Sequence, residues 1–402
     1  MKGTLEHSHS PSKILVFSVT IVGLLHNSIF VSSTPEILRS FGESENFAGL
    51  LIAAGSVPGI IVAPAIGFLA DRHGRRKILV PCLAIFGFFG ILASLSPSFE
   101  WLLAIRFIQG LGSAGIINLV IVIITDNWKG LDRARLIGQN AAVITTSVAV
   151  YPVIGGVITD LVGWRWTFLT FLAPLIVAFF IWKRLEDHQP GLQGPIKEQL
   201  LQASIEVRKP VIATCIIISV IVFMGIFGIF QALLPVHLDR SFGLLPTERG
   251  LVALAPSITA ALAALAVTKI RSRIQGGVLI YMSMFFWGVS FLFMGFSSLV
   301  LLILATMVYG FSEGIMLPTL QDLVAEHAPS HLRGGLLAIW TGAARLGQTL
   351  GPISISLALI GASSTSVLAL SGILMIIFSG LAAATRTLIV SHEDKQGGRF
   401  IS

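Results

Sequence analysis

The sequence has little charge for its length. Asp, Glu, Lys and Arg together make up 12% of its 402 residues, whereas a soluble domain carries roughly 25%. Because so few charges cannot cover a globule of this size, most of the surface must face lipid. Hydrophobic residues make up 54% and the mean hydropathy is +0.87. At about 20 apolar residues per helix, the chain can supply roughly ten to twelve membrane spans, which excludes a soluble enzyme and a single-pass receptor.

Cysteines and catalytic patterns are also scarce. Cys82 and Cys215 lie within apolar runs and show neither pairing nor metal-ligand spacing, so we interpret them as small buried hydrophobic residues. The sequence contains no Walker motif, and its apolar runs contain no Ser/His pair, paired aspartates or His-x-x-x-His pattern. We therefore expect no direct use of ATP, no enzymatic activity, no metal ion and no cofactor.

Apolar runs separated by polar breaks predict twelve transmembrane helices, and therefore an all-α membrane protein. Several runs contain Gly or Pro, which membrane helices accept because neighbouring groups satisfy the freed backbone atoms. The predicted spans are residues 12–34, 46–70, 78–96, 101–125, 137–159, 166–183, 211–235, 248–269, 277–296, 299–324, 335–360 and 365–386.

Most basic residues fall on one side of this predicted membrane topology. With the N-terminus in the cytoplasm, 21 of the 27 Lys and Arg residues lie in cytoplasmic segments, four lie outside, and Arg106 and Arg345 lie within spans. This asymmetry predicts a multi-pass protein of the cell (inner or plasma) membrane with both termini in the cytoplasm. The net charge of +7 is then a signal of topology, and we expect no nucleic-acid partner.

The two halves of the chain resemble each other. PEILRSFG starts at Pro35 and PVHLDRSFG at Pro235, a separation of 200 residues. The same separation relates four further pairs: Gly110 with Gly310, Asp126 with Glu326, Arg133 with Arg333, and Pro152 with Pro352. We predict two pseudo-symmetric six-helix bundles, at 1–184 and 211–402, joined by a cytoplasmic linker at 185–210. Parallel repeats of this kind are a transporter architecture with a substrate site near mid-membrane.

The predicted loop between spans 2 and 3 reads GFLADRHGRRK, from Gly67 to Lys77. It resembles the signature loop of the major facilitator superfamily, G-x-L-a-D-r-x-G-r-r/k, at every principal position. The resemblance implies the major facilitator fold and a charge cluster that links spans 2, 4 and 11 in the outward-facing state. Gly67 is expected to let two helices approach closely. The expected conformational gate comprises Gly67, Asp71, Gly74, Arg75 and Asp126.

Span 4 contains RFIQGLG, which begins at Arg106 and is similar to the R-x-x-q-G-x-g motif of the same superfamily. The resemblance implies that Arg106 takes part in proton coupling or positions the backbone of span 1. An arginine within a span costs at least about 2.5–3.5 kcal/mol unless it is paired or hydrated. Alternatively, because Arg106 lies only five residues from Trp101, its side chain reaches the outer interface.

Span 5 contains a proline followed by two glycines, and this run is similar to the antiporter motif G-x-x-x-G-P-x-x-G-G of drug:proton antiporters. Ser147 and Tyr151 replace two of the motif's glycines here, while span 11 keeps Gly347 in a related run. The residues expected to bend these helices and allow close packing are Pro152, Gly155, Gly156, Gly351 and Pro352.

Few acidic residues lie within the spans. Glu313 in span 10 is expected to exchange a proton or contact a cation, because a carboxyl group in a low-dielectric site can titrate near neutral pH; alternatively it stays neutral or bonds to Arg345 or Tyr309. His26 can also carry protons, although a lone histidine is more often a packing residue. Glu36 is expected to be a solvated end charge. The other predicted cavity residues are Arg106, Asn27, Gln109, Asn140 and Gln231.

Together these features predict a secondary active transporter that works by alternating access. With 26 Phe against 3 Tyr, the expected apolar cavity favours proton-coupled efflux of small hydrophobic or amphiphilic, drug-like compounds. Uptake or facilitated diffusion of a small metabolite is the alternative, and an intramembrane enzyme or sensor is a different class that the sequence disfavours. The expected partners are a small-molecule substrate, protons and membrane lipids, and we expect a monomer.

Overall fold

The protein is described by a computed structural model that covers residues 11–186, 205–329, 332–385 and 387–388. Within these residues the chain is almost entirely helical and contains no β-strand, which confirms the all-α prediction. We number the membrane helices α1 to α12: Lys13–Phe41, Ala48–His73, Arg75–Ala93, Phe99–Asn127, Gly130–Val162, Trp164–Arg184, Pro210–Phe242, Pro246–Arg271, Gly276–Met294, Leu299–His327, Arg333–Gly361 and Ser364–Ala384.

The helices are long and apolar enough to account for the predicted spans. Among the described residues, ten of the twelve pass as spanning segments by length and apolarity, and α2 joins them when its two bent parts are taken together. The remaining helix, α11, has 29 residues, which is longer than the ~20 that a bilayer requires. The protein is therefore a multi-pass membrane protein.

Several helices extend beyond their predicted limits. The fifth span was predicted at 137–159, but α5 begins at Gly130 and ends at Val162. The first span was predicted to end at residue 34, whereas α1 continues to Phe41. An apolar run marks only the part of a helix that lies in hydrocarbon, so these polar ends were missed.

The internal repeat is visible in the backbone. The last segments of α1 and α7, Thr34–Phe41 and Leu234–Phe242, each have a proline in the first turn. Each ends at a glycine with positive φ, +73° at Gly42 and +64° at Gly243, the left-handed cap that glycine adopts without strain. The two similar sequence segments therefore adopt the same local structure.

The described residues form two compact units. One contains 11–29, 54–151 and 162–186; the other contains 30–53 and 152–161 together with the described residues from 205 onward. The second unit thus includes the ends of α1 and α5 and the start of α2, all from the first half of the sequence. The bundle limits at residues 184 and 211 stay predictions, and linker residues 187–204 lie outside the described residues.

Aromatic residues form the centre of each unit. In the first, Phe86 of α3 packs edge-on against Phe171 at the start of α6, with ring centroids 5.1 Å apart. In the second, Trp287 of α9 stacks on Tyr309 of α10 at 4.7 Å and donates a 3.0 Å hydrogen bond to the carbonyl oxygen of Tyr309. The second contact holds α10, which carries the predicted residue Glu313, against α9.

Candidate functional site

The predicted gate beside the α2–α3 loop is an ion-pair cluster within the first unit. Arg75 Nε lies 3.1 Å from Asp126 Oδ2, and Arg75 Nη1 bonds to Asp71 Oδ1. The Arg75 side chain is 9% exposed and that of Asp71 is 50% exposed, so the guanidinium is largely removed from water while one acceptor stays hydrated. Gly74, with φ +101°, makes the turn that brings these groups together.

The close helix approach expected at Gly67 is absent. A Cβ atom at Gly67 would meet nothing within 4 Å, because this side of α2 is exposed. The tight contacts between α2 and α4 lie at Gly110 and Gly115 instead, where a Cβ atom would collide with the backbone of Gly55 and the side chain of Ile66. Glycines of α4, rather than Gly67, therefore set this packing.

Arg106 is fully buried, with 0% of the residue exposed, so the alternative in which it reaches the interface is wrong. Its Nη2 atom donates a 2.6 Å hydrogen bond to Asn27 Oδ1, and its Nη1 atom bonds to Gln109 Oε1. Asn27 also donates to Ser56 Oγ at 3.3 Å. Arg106 therefore connects α4 to α1 through a buried polar network, and Gln109 turns inward with it.

The segment of α1 next to Arg106 is not a continuous helix. A short segment, Leu25–Ser28, separates Lys13–Gly23 from the 3-10 turn Val31–Ser33. His26 lies in this segment, and its side chain packs beside that of Arg106 against Gly55 of α2. A Cβ atom on Gly55 would lie 2.8 Å from His26 Cε1 and 2.7 Å from Arg106 Nη2. The structure thus brings together four predicted residues: His26, Asn27, Arg106 and Gln109.

Asn140 is separate from this cluster and joins α5 to α1. It is buried, and its Oδ1 atom accepts a 2.6 Å hydrogen bond from Thr20 Oγ1. Tyr151, which replaces a glycine of the antiporter motif, donates a 2.6 Å hydrogen bond to the carbonyl oxygen of Ile21. These bonds hold α5 on α1, so both residues have a structural contribution.

Glu313 lies on α10 in the second unit and is half-buried. The Tyr309 hydroxyl interacts electrostatically with its carboxyl group but has no hydrogen-bond partner in suitable geometry. Tyr309 is 1% exposed and stacks on Phe230 of α7, with ring centroids 5.1 Å apart. The Glu313 carboxyl group therefore lies beside an aromatic stack within the second unit.

Helix α7 has a wide-turn segment that the sequence did not indicate. Residues Gly225–Leu233 form a π-helix, a conformation that is rare and often occurs at functional sites. Gln231 lies in this segment, and its buried Oε1 atom has no hydrogen-bond partner. Gly228 packs against Gly351 of α11 so closely that a Cβ atom would lie 2.8 Å from its carbonyl carbon. The predicted bending residue Gly351 therefore packs beside the π segment.

The antiporter-like residues make close backbone contacts within the second unit. A Cβ atom on Gly156 would collide with the carbonyl of Pro246 in α8, and one on Gly250 would collide with the carbonyl of Pro152. The repeat-related proline makes a similar contact, since a Cβ atom on Gly49 of α2 would collide with the carbonyl of Pro352 in α11. The ends of α5 and α2 are thus packed tightly on α8 and α11.

Side-chain hydrogen bonds reinforce this contact, which we call the loop 1–2 end because the α1–α2 turn lies in it. Ser32 Oγ donates to the carbonyl oxygen of Pro152 at 2.7 Å, and Ser33 Oγ lies 3.5 Å from that of Gly155. The amide of Leu50 donates to Ser356 Oγ at 3.2 Å. The predicted helix-bend residues therefore act here as contact points.

An ion-pair network that the sequence analysis missed completes the loop 1–2 end. Arg249 of α8 is 2% exposed, and its guanidinium lies 2.5 Å from Glu36 Oε1 and 3.2 Å from Asp239 Oδ1. Its Nη1 atom also donates to the carbonyl oxygen of Ser32 at 2.8 Å. Arg39 binds the same two carboxylates, Glu36 at 2.7 Å and Asp239 at 2.8 Å. The expectation that Glu36 is a solvated end charge is wrong, because its carboxylate is shared by two arginines.

No signal for this network is visible in a single sequence. Glu36 and Arg249 lie 213 residues apart, and neither belongs to the motifs described above. The repeat offers no clue, because the segments PEILRSFG and PVHLDRSFG match Arg39 with Arg240, and Asp239 is the additional residue of the second copy.

The two cysteines are buried free thiols, as the sequence analysis expected. In the part of the chain that the structure describes, no group of three His, Cys, Asp or Glu side chains is placed to hold a metal ion. The polar groups of the candidate functional site are therefore Arg106 with its amide partners, Glu313, and the charged side chains at the helix ends.

The chain is similar to a curated exporter, a drug resistance protein and a multidrug transporter. It is 26% identical to the bacillibactin exporter of Bacillus subtilis over 414 residues, covering 96% of this chain and 98% of that protein. It is 25% identical to the chloramphenicol resistance protein CraA of Acinetobacter baumannii over 189 residues, 47% of this chain and 45% of CraA. It is also 28% identical to the multidrug transporter protein MdtP of B. subtilis over 200 residues, 49% of this chain and 36% of MdtP.

Solved structures share the fold. A bacterial homologue of the human lysosomal transporter Spinster matches with a TM-score of 0.75 at 17% identity, covering 94% of this chain and 95% of the homologue. A D-xylose-proton symporter matches with a TM-score of 0.71 at 18% identity, over 91% of this chain and 96% of the symporter. The sequence profile of the Major Facilitator Superfamily matches residues 15–352 and 216–399. The chain is therefore a transporter of the major facilitator superfamily, and not an enzyme.

Proposed function

We propose that this protein exports small hydrophobic or amphiphilic compounds in exchange for protons, with both termini in the cytoplasm. The observation that carries the proposal is its similarity, along 96% of the chain, to a curated exporter. Similarity over shorter stretches to a chloramphenicol resistance protein and a multidrug transporter supports the same direction of transport. The distribution of 21 of 27 basic residues on one side supports the orientation.

Two charge clusters provide the gating that alternating access requires. At the loop 1–2 end, Arg249 and Arg39 hold Glu36 and Asp239 together. At the opposite ends of α2 and α4, Arg75 binds Asp71 and Asp126. In the proposed cycle, the loop 1–2 network stabilises the state that is closed to the outside. The Arg75 cluster contributes to the state that is closed to the cytoplasm.

Protonation of Glu313 provides the coupling. The ionised carboxylate is costly in a half-buried site beside the aromatic stack of Tyr309 and Phe230, and proton binding removes this cost. A proton can therefore shift the population of conformations by its different affinity for each. Arg106, held by Asn27 and Gln109, carries a second buried charge.

Transport by the purified protein tests this function. We expect protein reconstituted in liposomes, with an imposed pH gradient, to move chloramphenicol or a lipophilic cationic dye against its concentration gradient. Dissipation of the pH gradient with a protonophore should abolish accumulation. Net movement of the compound in the same direction as the proton would identify the protein as an importer and overturn the proposal, as would equal transport without a pH gradient.

The substitution Asp71→Asn tests the cytoplasmic gate. It removes one charged acceptor of Arg75, so the state closed to the cytoplasm should be less stable and transport should fall about tenfold, the effect of a loss near 1.4 kcal/mol. A cysteine at Gln231, in a Cys82→Ala/Cys215→Ala background, should react faster with impermeant thiol reagents applied from the cytoplasmic side. Unchanged transport and labelling would contradict this role. Asp132→Asn, at an exposed acid in the first turn of α5, is the matched control.

A further inference from the structure

The lipid-facing side of the second unit contains an apolar groove with a basic rim. We propose that this groove binds an acyl chain of an anionic phospholipid, and that Lys269 and Arg273 bind the lipid phosphate. The site lies on α8, α9 and α10, and none of its residues belongs to the gates or to the Glu313 site.

The groove has the size and lining of an acyl-chain site. Its volume is about 520 Å³, and its walls include Ile270, Ile274, Met282, Phe286, Met307 and Phe311. Along α10 it extends from Leu304 to Ile315, which corresponds to about 16 Å at 1.5 Å per residue. This is roughly half of the ~30 Å hydrocarbon core, so the groove matches a chain within one leaflet.

Polar ligands would find few partners in this groove. Its hydroxyl groups come from Ser283 and Ser312, and Ser312 Oγ already donates a 2.9 Å hydrogen bond to the carbonyl oxygen of Val308. No charged residue is part of the lining. A hydrocarbon chain can therefore fill the groove without leaving polar groups unsatisfied.

We assign the basic rim to two residues that adjoin the groove lining in sequence, at the end of α8 and in the α8–α9 turn. Lys269 and Arg273 are exposed and directly precede the lining residues Ile270 and Ile274. A hydrogen-bonded turn follows α8 here, since the amides of Arg273 and Ile274 both donate to the carbonyl oxygen of Ile270 at 3.0 Å. Lys269 and Arg273 are therefore about one turn apart and can contact the same phosphate.

The nearby acidic residues are already occupied. Arg271 bonds to Asp322 and lies 3.9 Å from Glu326, both at the end of α10. This ion-pair cluster ties α8 to α10 at the rim and leaves the positive charge of Lys269 and Arg273 available to an anionic headgroup. In the orientation of the proposed function, on which this step rests, these residues lie at the cytoplasmic end of α8, where basic clusters attract anionic lipids.

Native mass spectrometry of the full chain tests the proposal. Protein is purified in detergent with equal amounts of phosphatidylglycerol and phosphatidylcholine, and the bound lipids are counted. We expect one phosphatidylglycerol to be retained about tenfold more than phosphatidylcholine. The double variant Lys269→Gln/Arg273→Gln should lose this preference. Lys129→Gln/Arg133→Gln, with the same charge change at exposed residues four apart on the α4–α5 side, should keep it.

Variants that fill the groove distinguish an acyl chain bound inside it from electrostatic attraction of lipid headgroups to the protein surface. Met307→Trp, at a lining residue that is 37% exposed, should reduce retention of both lipids, and Ser283→Phe provides a second filling variant. Equal retention of the two lipids by the unmodified protein would overturn the proposal. It would also be overturned if the control pair lost the preference, or if both filled grooves retained lipid normally. Loss of transport with normal lipid retention in the filled variants would identify the groove as a substrate route instead.

Discussion

Replacing Arg249 with glutamine is expected to open the loop 1–2 end to the outside. Arg249 is 2% exposed and is shared by Glu36 and Asp239. Removing one partner of a buried ion pair costs about 3–5 kcal/mol. Because the exposed Arg39 still binds both carboxylates, we expect a loss at the low end of this range. A loss of about 3 kcal/mol corresponds to more than a hundredfold change in the closed-to-open ratio.

A cysteine at Gln231 reports this change. In the background without Cys82 and Cys215, we expect Arg249→Gln to increase labelling by an impermeant thiol reagent from the outside by at least about tenfold. Transport should fall, because the protein would remain longer in the outward-open state. Circular dichroism and gel filtration of the variant would establish that the helices and the monodisperse state are retained.

Arg240→Gln is the matched control for this experiment. Arg240 lies nine residues before Arg249 and binds Glu45 at 3.2 Å, but its side chain is 64% exposed. An exposed ion pair contributes only about 0–1 kcal/mol, so labelling should change little. The double variant Glu36→Gln/Arg249→Gln should recover part of the closed state, since it also removes a carboxylate that has lost one of its two arginines. Equal labelling of the Arg249→Gln and Arg240→Gln variants would rule out a gating role for the network.

The network at Arg249 also illustrates what sequence reasoning can and cannot find. The Arg75 cluster was predictable because Asp71 and Arg75 lie one helical turn apart in a recognisable motif. The pairing of Glu36 with Arg249 depends on how distant helices pack, and neither residue belongs to a motif. Charge alone placed Glu36 at a helix end in water, whereas the helix packing places it between two arginines.

The same distinction holds for the helices. Apolar runs predicted the spans because a helix in hydrocarbon must present apolar side chains to lipid. The repeated proline and glycine residues predicted the similar ends of α1 and α7. The π segment Gly225–Leu233 was missed, because its composition is that of any apolar helix. The depth of Arg106 in span 4 allowed two orientations of its side chain. The inward one is adopted, and Asn27 on α1 and Gln109 accept its hydrogen bonds.

The substitution Glu313→Gln is expected to uncouple transport from protons while leaving downhill movement of substrate intact. Glutamine keeps the size and polarity of the half-buried side chain but cannot take up or release a proton. A pH difference of one unit is worth about 1.36 kcal/mol per proton, and therefore about a tenfold substrate gradient. With a two-unit difference, one coupled proton can sustain about a hundredfold accumulation, whereas the variant should only equilibrate its substrate.

Three comparisons connect this result to the proton rather than to a general loss of activity. Counterflow of substrate, which needs no gradient, should persist in Glu313→Gln and would fail if the substitution disrupted binding. Glu313→Asp keeps the acid and should retain accumulation, although more slowly because the carboxyl group is displaced relative to Tyr309. Glu100→Gln removes an exposed acid from the start of α4 and should leave accumulation unchanged. Normal pH-driven accumulation by Glu313→Gln would assign the proton to another group, and the buried cluster of His26 and Arg106 would then be the next site to test.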